Sequence, residues 1–345
     1  NATLRQRLPE LLVTRSWFSL VVYFVTHVAF AAIERNLDVG TYDVALLCPA
    51  AGLLAAVLIL SRRSRWPLLC GAAVAAELTA SLILRDHTFH LGDILPAVAI
   101  PAEALAFAVI LTVFLPQPWY RRPGLEGYAY TVVAAIVAPL IGAAISCLHP
   151  ALSGENVRTL LGAFGSWWAS DLLGMVLVIP AILGSLLEIR IDGASTRRSL
   201  PMSLAAALAW LVAITLLLGL PADHVLSLSS ADPATGIIAA LVVSVVAVTW
   251  LALKATPGVM AVAMMLAAIL LNLYASAPGS ALAVYIGPDP FLLQVLYVLL
   301  ITSAITGVVV ALARFEQVHQ RALSEMRRSS SRLVAQIATW LNQCG

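Results

Sequence analysis

Four ionisable residues stand inside long apolar runs of this sequence: Glu77, Glu103, Asp171 and His27. Carboxyl and imidazole groups exchange protons, accept hydrogen bonds and bind cations. In apolar surroundings each is costly unless it has a partner or a role. The set therefore indicates either a buried ligand or proton-linked site, or polar contacts that hold helices together. The sequence leaves both interpretations open.

Two adjacent tryptophans precede the aspartate in this set. On a helix, Trp167 and Trp168 lie four and three residues before Asp171 and so share its face. Gly174, three residues after Asp171, leaves room for a closely packed neighbour. We expect a partly polar pocket with indole rings in its wall, and both tryptophans join the candidate site residues.

Catalytic and metal-binding motifs are absent from the sequence. It contains no Walker loop, no GxSxG and no HExxH. The spacing of His87 and His90 suits a shared metal, but histidines outside apolar runs are commonly just solvated. We predict no catalytic residue, no metal site and no cofactor in this stretch, and whether the whole protein is an enzyme stays uncertain.

Composition points to lipid as the main solvent of this chain. Of 345 residues, 61% are hydrophobic and 11% are charged, and the mean hydropathy is +0.94. Soluble domains carry about 25% charged residues, so this chain has too little polar surface to face water on all sides. The net charge of +2 gives no reason to expect nucleic acid as a partner.

The apolar runs have the length of membrane-spanning helices. About 20 mainly apolar residues cross a bilayer, and no alternation typical of a β-barrel occurs. The sequence predicts an all-α polytopic transmembrane bundle with a C-terminal cytoplasmic helix. About ten spans are expected, near 17–34, 43–61, 66–84, 94–115, 128–148, 160–187, 203–220, 235–253, 256–276 and 290–313.

These spans set the predicted domain organisation and orientation. Residues 1–16 form a cytoplasmic segment, 17–313 the transmembrane domain, and 314–345 a helix that starts a missing cytoplasmic output region. All Lys and Arg residues except Arg35, Arg85 and Arg158 fall in alternate loops. The positive-inside rule then places both termini in the cytoplasm. In this orientation the four ionisable residues lie about 10–16 Å below the outer face.

Beyond the last span the chain continues as a heptad pattern. Leu312, His319 and Met326 recur every seven residues, and Phe315 and Ala322 follow the first two by three residues. We call these five residues the signalling seam. The pattern predicts a parallel coiled coil between two copies. The alternative is an amphipathic helix on the inner face, since arginines accompany it. Three serines at 329–331 leave open that the helix ends there.

Several short motifs occur between residues 49 and 180: Pro49 with Gly52, Arg65-Trp66-Pro67 followed by Gly71, and Trp167-x-x-x-Asp171-x-x-Gly174 followed by Pro180. These motifs resemble the membrane-associated sensor domain of the MASE family, first type. The resemblance covers about residues 17–187, and Cys48 stands where the family usually has tryptophan.

The resemblance implies a sensory input module in the bacterial inner membrane. Its output would be cyclic-di-GMP synthesis or breakdown, or else a histidine kinase, controlled through the C-terminal helix of a homodimer. The signal, a small molecule or a membrane protein, is not named by the sequence. Alternatives are a small-solute transporter, a sensor coupled to a partner transporter, and a structural anchor for an output domain.

Overall fold

The computed structural model describes residues 17–36, 38–39, 44–45, 47–84, 94–115, 125–152, 154–190, 194–219, 233–277, 279–286 and 290–344. The predicted N-terminal segment 1–16 lies outside these ranges. The helices are α1 (Trp17–Asn36), α2 (Pro49–Leu60), α3 (Trp66–Leu84), α4 (Ile94–Phe114), α5 (Leu125–Ser146), α6 (Leu148–Leu152), α7 (Val157–Arg190), α8 (Ala194–Ile214), α9 (Pro233–Lys254), α10 (Pro257–Ser276), α11 (Ala281–Ile286) and α12 (Pro290–Cys344).

The helical transmembrane class is confirmed. Each predicted span overlaps a helix, and seven helices in the described residues are long and apolar enough to cross a membrane. These seven are α1, α3, α4, α5, α7, α8 and α10. Helices α2, α9 and α12 contribute shorter apolar stretches. The count of ten spans therefore stays a prediction.

The second predicted span differs from the structure at its start. A short antiparallel hairpin pairs β1 (Asp38–Val39) with β2 (Val44–Ala45) where a helix was expected from residue 43. Helix α2 begins only at Pro49, with Cys48 at φ −104° and ψ 83°. Proline fits the first helical position and disfavours helical backbone in the residue before it, which explains the later start.

Helix α2 is too short to cross the bilayer alone. Its 12 residues extend about 18 Å, against a hydrocarbon core of about 30 Å. Residues 49–56 are all buried, between α1, α3, α4 and α7. The indole Nε1 of Trp66 donates to the Leu58 carbonyl at 2.9 Å and ties the end of α2 to α3. The N-terminus of α2 consequently lies inside the bundle.

Helix α7 is the central element of the molecule. It has 34 residues, and every residue from Ala169 to Ala181 is buried inside the protein. It packs against α2, α5, α10 and α12. A change in the position of α7 therefore reaches both the first half of the bundle and the last helix.

Helix α12 is continuous over 55 residues, from Pro290 to Cys344. It packs against α5, α7, α9 and α10, and its apolar part ends near Arg314. The helix then continues without a break through Ser329 and Ser331, so it does not end at the serines. From Arg314 to Cys344 it extends about 45 Å.

Candidate functional site

Helices α1 and α3 are joined by a buried chain of three polar side chains. The Nε2 atom of His27 lies 2.9 Å from Oε1 of Glu77, and the Tyr23 hydroxyl lies 3.1 Å from Nδ1 of the same ring. His27 is fully buried and Glu77 is 2% exposed. All three groups are satisfied when Tyr23 donates to Nδ1 and the Nε2–H group donates to Glu77. Glu77 thus has a partner in the protein.

Glu34, near the end of α1, places its carboxylate at the N-terminus of α2. Its Oε1 atom accepts a hydrogen bond from the backbone N–H of Ala50 at 2.9 Å. Cys48, the residue preceding α2, gives no side-chain cap, so the carboxylate from α1 serves that purpose. A negative charge is favoured at a helix N-terminus, where free N–H groups and the helix dipole meet it. Glu34 therefore also has a partner.

Glu103 and Asp171 differ from the other acids because three of their four carboxyl oxygens lack a hydrogen-bond partner among the described residues. Glu103 is fully buried and Asp171 is 2% exposed. Within the described residues, neither Glu103 carboxyl oxygen has a hydrogen-bond partner, nor does Oδ1 of Asp171. The two carboxyl groups, one on α4 and one on α7, are close enough to interact electrostatically. The Cys48 thiol also lies close to Asp171.

Glycines allow the helices to approach closely around this pair. A Cβ atom on Gly142 of α5 would collide with Oε2 of Glu103. On α7, a Cβ atom at Gly174 would collide with the Cys48 carbonyl oxygen, and one at Gly52 would collide with the Gly174 carbonyl. Cys48 also donates its N–H to the Ser170 carbonyl at 3.2 Å. The start of α2 is therefore locked onto α7 beside Asp171.

The structure brings together the four ionisable residues that the sequence singled out. We call His27, Glu77, Glu103 and Asp171 the buried polar layer. It lies beside the start of α2, and the depth of about 10–16 Å below the outer face that the spans imply stays a prediction. Sequence reasoning missed Tyr23, Glu34 and Cys48. The sequence contains a clue to Tyr23 and Glu34, because their spacing from His27 places all three residues on one face of α1.

The two tryptophans have different surroundings. The Trp168 indole Nε1 donates to the Ile136 carbonyl at 2.9 Å and so joins α7 to α5. Trp167 is partly buried and makes no hydrogen bond within the described part of the chain. An indole wall around the acids stays a prediction.

The signalling seam divides between the bundle and the exposed part of α12. Leu312 is 7% exposed and packs with Tyr128, Ala181 and Ala261 inside the bundle, so it contributes to packing within the chain. Met326 is 62% exposed. The side chains of Phe315, His319 and Ala322 lie outside the described residues. Met326 is the last residue of the seam, and it begins an exposed stripe that continues on the same helix face with Leu333, Ile337 and Trp340.

An apolar cavity lies away from the buried polar layer. It measures about 280 Å³ and opens between α8 and α10. Only hydrophobic residues and one glycine line it, so it offers no polar chemistry. Its lining includes Leu204, Leu208, Leu211, Val259 and Leu266.

Comparison with known families identifies the domain. The MASE1 family model matches residues 17–317, nearly the whole chain. The chain belongs to the MASE1 family. No curated protein and no solved structure matches it. The resemblance drawn from the short motifs is confirmed, and it extends well beyond residue 187.

MASE1 domains are membrane-associated sensory domains of signalling proteins. This MASE1 chain is therefore a membrane sensor module. Its family-like residues have structural positions that explain them: Pro49 starts α2, Trp66 closes the turn between α2 and α3, and Gly52 and Gly174 allow α2 and α7 to touch.

Proposed function

We propose that this MASE1 domain is the sensory input of a bacterial inner-membrane signalling protein, with both termini in the cytoplasm. Its output acts on cyclic-di-GMP, with a histidine kinase as the second choice. The observation that carries the proposal is the unbroken helix α12, which starts among the packed span helices and continues far beyond them. A rigid helix transmits a shift or rotation from one end to the other.

The input site is the buried polar layer. It lies where α1, α3, α4 and α7 meet the start of α2, and α7 packs directly against α12. A change in the partners of Glu103 or Asp171 alters the interaction between these two side chains, which belong to α4 and α7. That change reaches α12 through one intervening helix. This short route supports the layer as the origin of the signal.

The output side is a parallel homodimer formed along α12. Met326, Leu333, Ile337 and Trp340 are 62%, 60%, 50% and 62% exposed. Large apolar side chains in a continuous stripe on one helix favour burial against a second helix, and a seven-residue repeat is the coiled-coil form of that stripe. In a two-fold dimer the same residues of both copies face each other.

Insertions into α12 test this function. The chain is fused after Cys344 to a diguanylate cyclase domain, and four or seven residues of helical sequence are inserted after Met326. Seven residues preserve the heptad phase, so regulation is expected to persist; four rotate the phase and are expected to lock the output on or off. Cyclic-di-GMP is measured in membranes. Equal output from the parent and both insertions would contradict transmission through helix phase.

A further inference from the structure

The acids of this site differ in whether the chain supplies a positive partner. Glu77 is hydrogen-bonded to His27, and Glu34 accepts from the N-terminus of α2. Glu103 and Asp171 have no ion pair within the described residues, and three of their four carboxyl oxygens have no hydrogen bond. The chain therefore provides for two acids and leaves a neighbouring pair without a counter-charge.

The groups that face this pair do not supply the missing charge. Helix α1 contributes Glu34, α3 contributes Glu77, and Cys48 stands before α2. Helix α5 presents Gly142, which has no side chain. The imidazole of His27 is already held between Tyr23 and Glu77. Among the described residues, the other titratable groups that interact with the pair are acids and a thiol.

Two adjacent buried carboxylates without a cation are strongly unfavourable. Burial removes the water that stabilises each charge, and the like charges repel. A bound proton removes one charge and supplies a hydrogen-bond donor. A bound sodium ion neutralises one charge and takes oxygen atoms as ligands. Either occupant provides partners for the oxygen atoms that lack them.

The surroundings fit a small ion with oxygen ligands. The non-helical backbone at Leu47 and Cys48 precedes a buried helix start. In membrane proteins such broken helices provide carbonyl oxygens for sodium ions and protons. The hydroxyl of Ser146, one turn beyond Gly142 on α5, is also buried without a partner and lies on the same helix face.

We propose that Glu103 and Asp171 bind one monovalent cation, for which a proton and a sodium ion are alternative occupants. When sodium enters, the shared proton leaves, so the charge of the site is conserved. An occupied site holds α4 and α7 together, and an empty site separates them by repulsion. The step from occupancy to output rests on the proposed function, whereas cation binding itself does not.

The experiment uses the full chain, purified in detergent. Thermal unfolding is followed by tryptophan fluorescence in sodium chloride and in choline chloride of equal ionic strength, across a pH series. Proton release on addition of sodium chloride is measured in weakly buffered solution. Glu103→Gln and Asp171→Asn each keep the shape of the side chain and remove its charge. Glu155→Gln, in an exposed loop, is the matched control.

A sodium-binding site predicts release of about one proton per chain on sodium addition. It also predicts a rise of roughly 2 °C or more in the unfolding midpoint. Both effects persist in Glu155→Gln and disappear in the two site variants. A site for protons alone shows no sodium effect, but the wild type loses stability with rising pH in a way that both site variants lack. The proposed cation site is wrong if the stability of the wild type depends on neither sodium nor pH, or if Glu103→Gln and Asp171→Asn retain the wild-type dependence in full. Either outcome holds independently of the insertion experiment.

Discussion

At the scale of residues, the buried acids have two different physical roles. The pair His27 and Glu77 is a closed contact, because each group satisfies the other and Tyr23 completes the chain. Glu103 and Asp171 form an open contact, because three of their four carboxyl oxygens are hidden from solvent and have no hydrogen-bond partner among the described residues. A closed contact stabilises the bundle, and an open contact responds to whatever occupies it.

A double-mutant cycle tests the closed contact. His27→Ala and Glu77→Ala are measured alone and together by unfolding in mixed micelles. We expect a coupling energy of about 0.6–1.7 kcal/mol, because double-mutant cycles on interhelical hydrogen bonds in a membrane protein give an average and a maximum of that size. Thr79→Ala, on the exposed face of α3, is the control and is expected to show no coupling with His27→Ala. Additive effects at His27 and Glu77 would show that the contact contributes little.

The sequence identified the polar layer because charged residues stand out in apolar runs. It did not reveal the partners, since the pairing of His27 with Glu77 across 50 residues depends on how α1 and α3 pack. Glu34 was missed because an acid at the end of a span resembles an ordinary interfacial residue. Its role requires knowledge that α2 starts inside the bundle, which the hydropathy of 43–61 conceals.

At the scale of elements, the contact between α2 and α7 determines the geometry of the site. Backbone meets backbone there, since Gly174 faces the Cys48 carbonyl and Gly52 faces the Gly174 carbonyl. The sequence predicted a close neighbour at Gly174, and the structure identifies that neighbour as the start of α2. The hairpin before α2 was not predicted because its two strands have only two residues each.

Alanine substitutions test this packing. Gly174→Ala places a Cβ atom against backbone that cannot rotate away, so a loss of about 1–3 kcal/mol is expected from overpacking. Gly165→Ala lies on the same helix with open space around its Cβ and is expected to be neutral or slightly stabilising. The midpoint of thermal unfolding in detergent reports both. Equal behaviour of the two variants would remove the argument for a tight contact.

Cysteine cross-linking tests the exposed stripe of α12. Leu333→Cys and Met326→Cys are expected to form disulfides between copies in membranes, whereas Arg328→Cys and Ala335→Cys, on the opposite helix face, are not. Cys70, Cys147 and Cys344 are replaced by serine, and Cys48 is retained because it is buried. Non-reducing gels quantify the dimer. Similar yields at all four positions would favour a helix lying on the lipid surface.

At the scale of the whole molecule, the bundle has a core of small residues around α7. Many of its buried residues are alanines, which lets helices approach closely where lipid provides no hydrophobic driving force between them. The helical class could be predicted from hydropathy alone. The central position of α7 could not, because buried and lipid-facing helices are equally apolar.

Fusions to alkaline phosphatase, which is active outside the cytoplasm, test the orientation. Fusions after Arg122 and Arg198 are expected to be inactive, and fusions near Gly92, Gly154 and Asp223 to be active, because positively charged loops stay inside. Expression of each fusion is checked by immunoblotting. Activity after Arg198 would overturn the predicted span count in the first half of the chain.

The most direct test of the account is whether the open pair of acids controls the exit helix. Spin labels at Leu333→Cys are placed in liposome-reconstituted protein, and distances between copies are measured by pulsed electron resonance. We expect Glu103→Gln combined with Asp171→Asn to change the distance distribution and to abolish its dependence on sodium or pH, while Glu155→Gln preserves both. Control of the exit helix by the acid pair would be contradicted by identical distance distributions in the parent, the double variant and Glu155→Gln under every condition. It would also be contradicted if no distance between two copies could be detected.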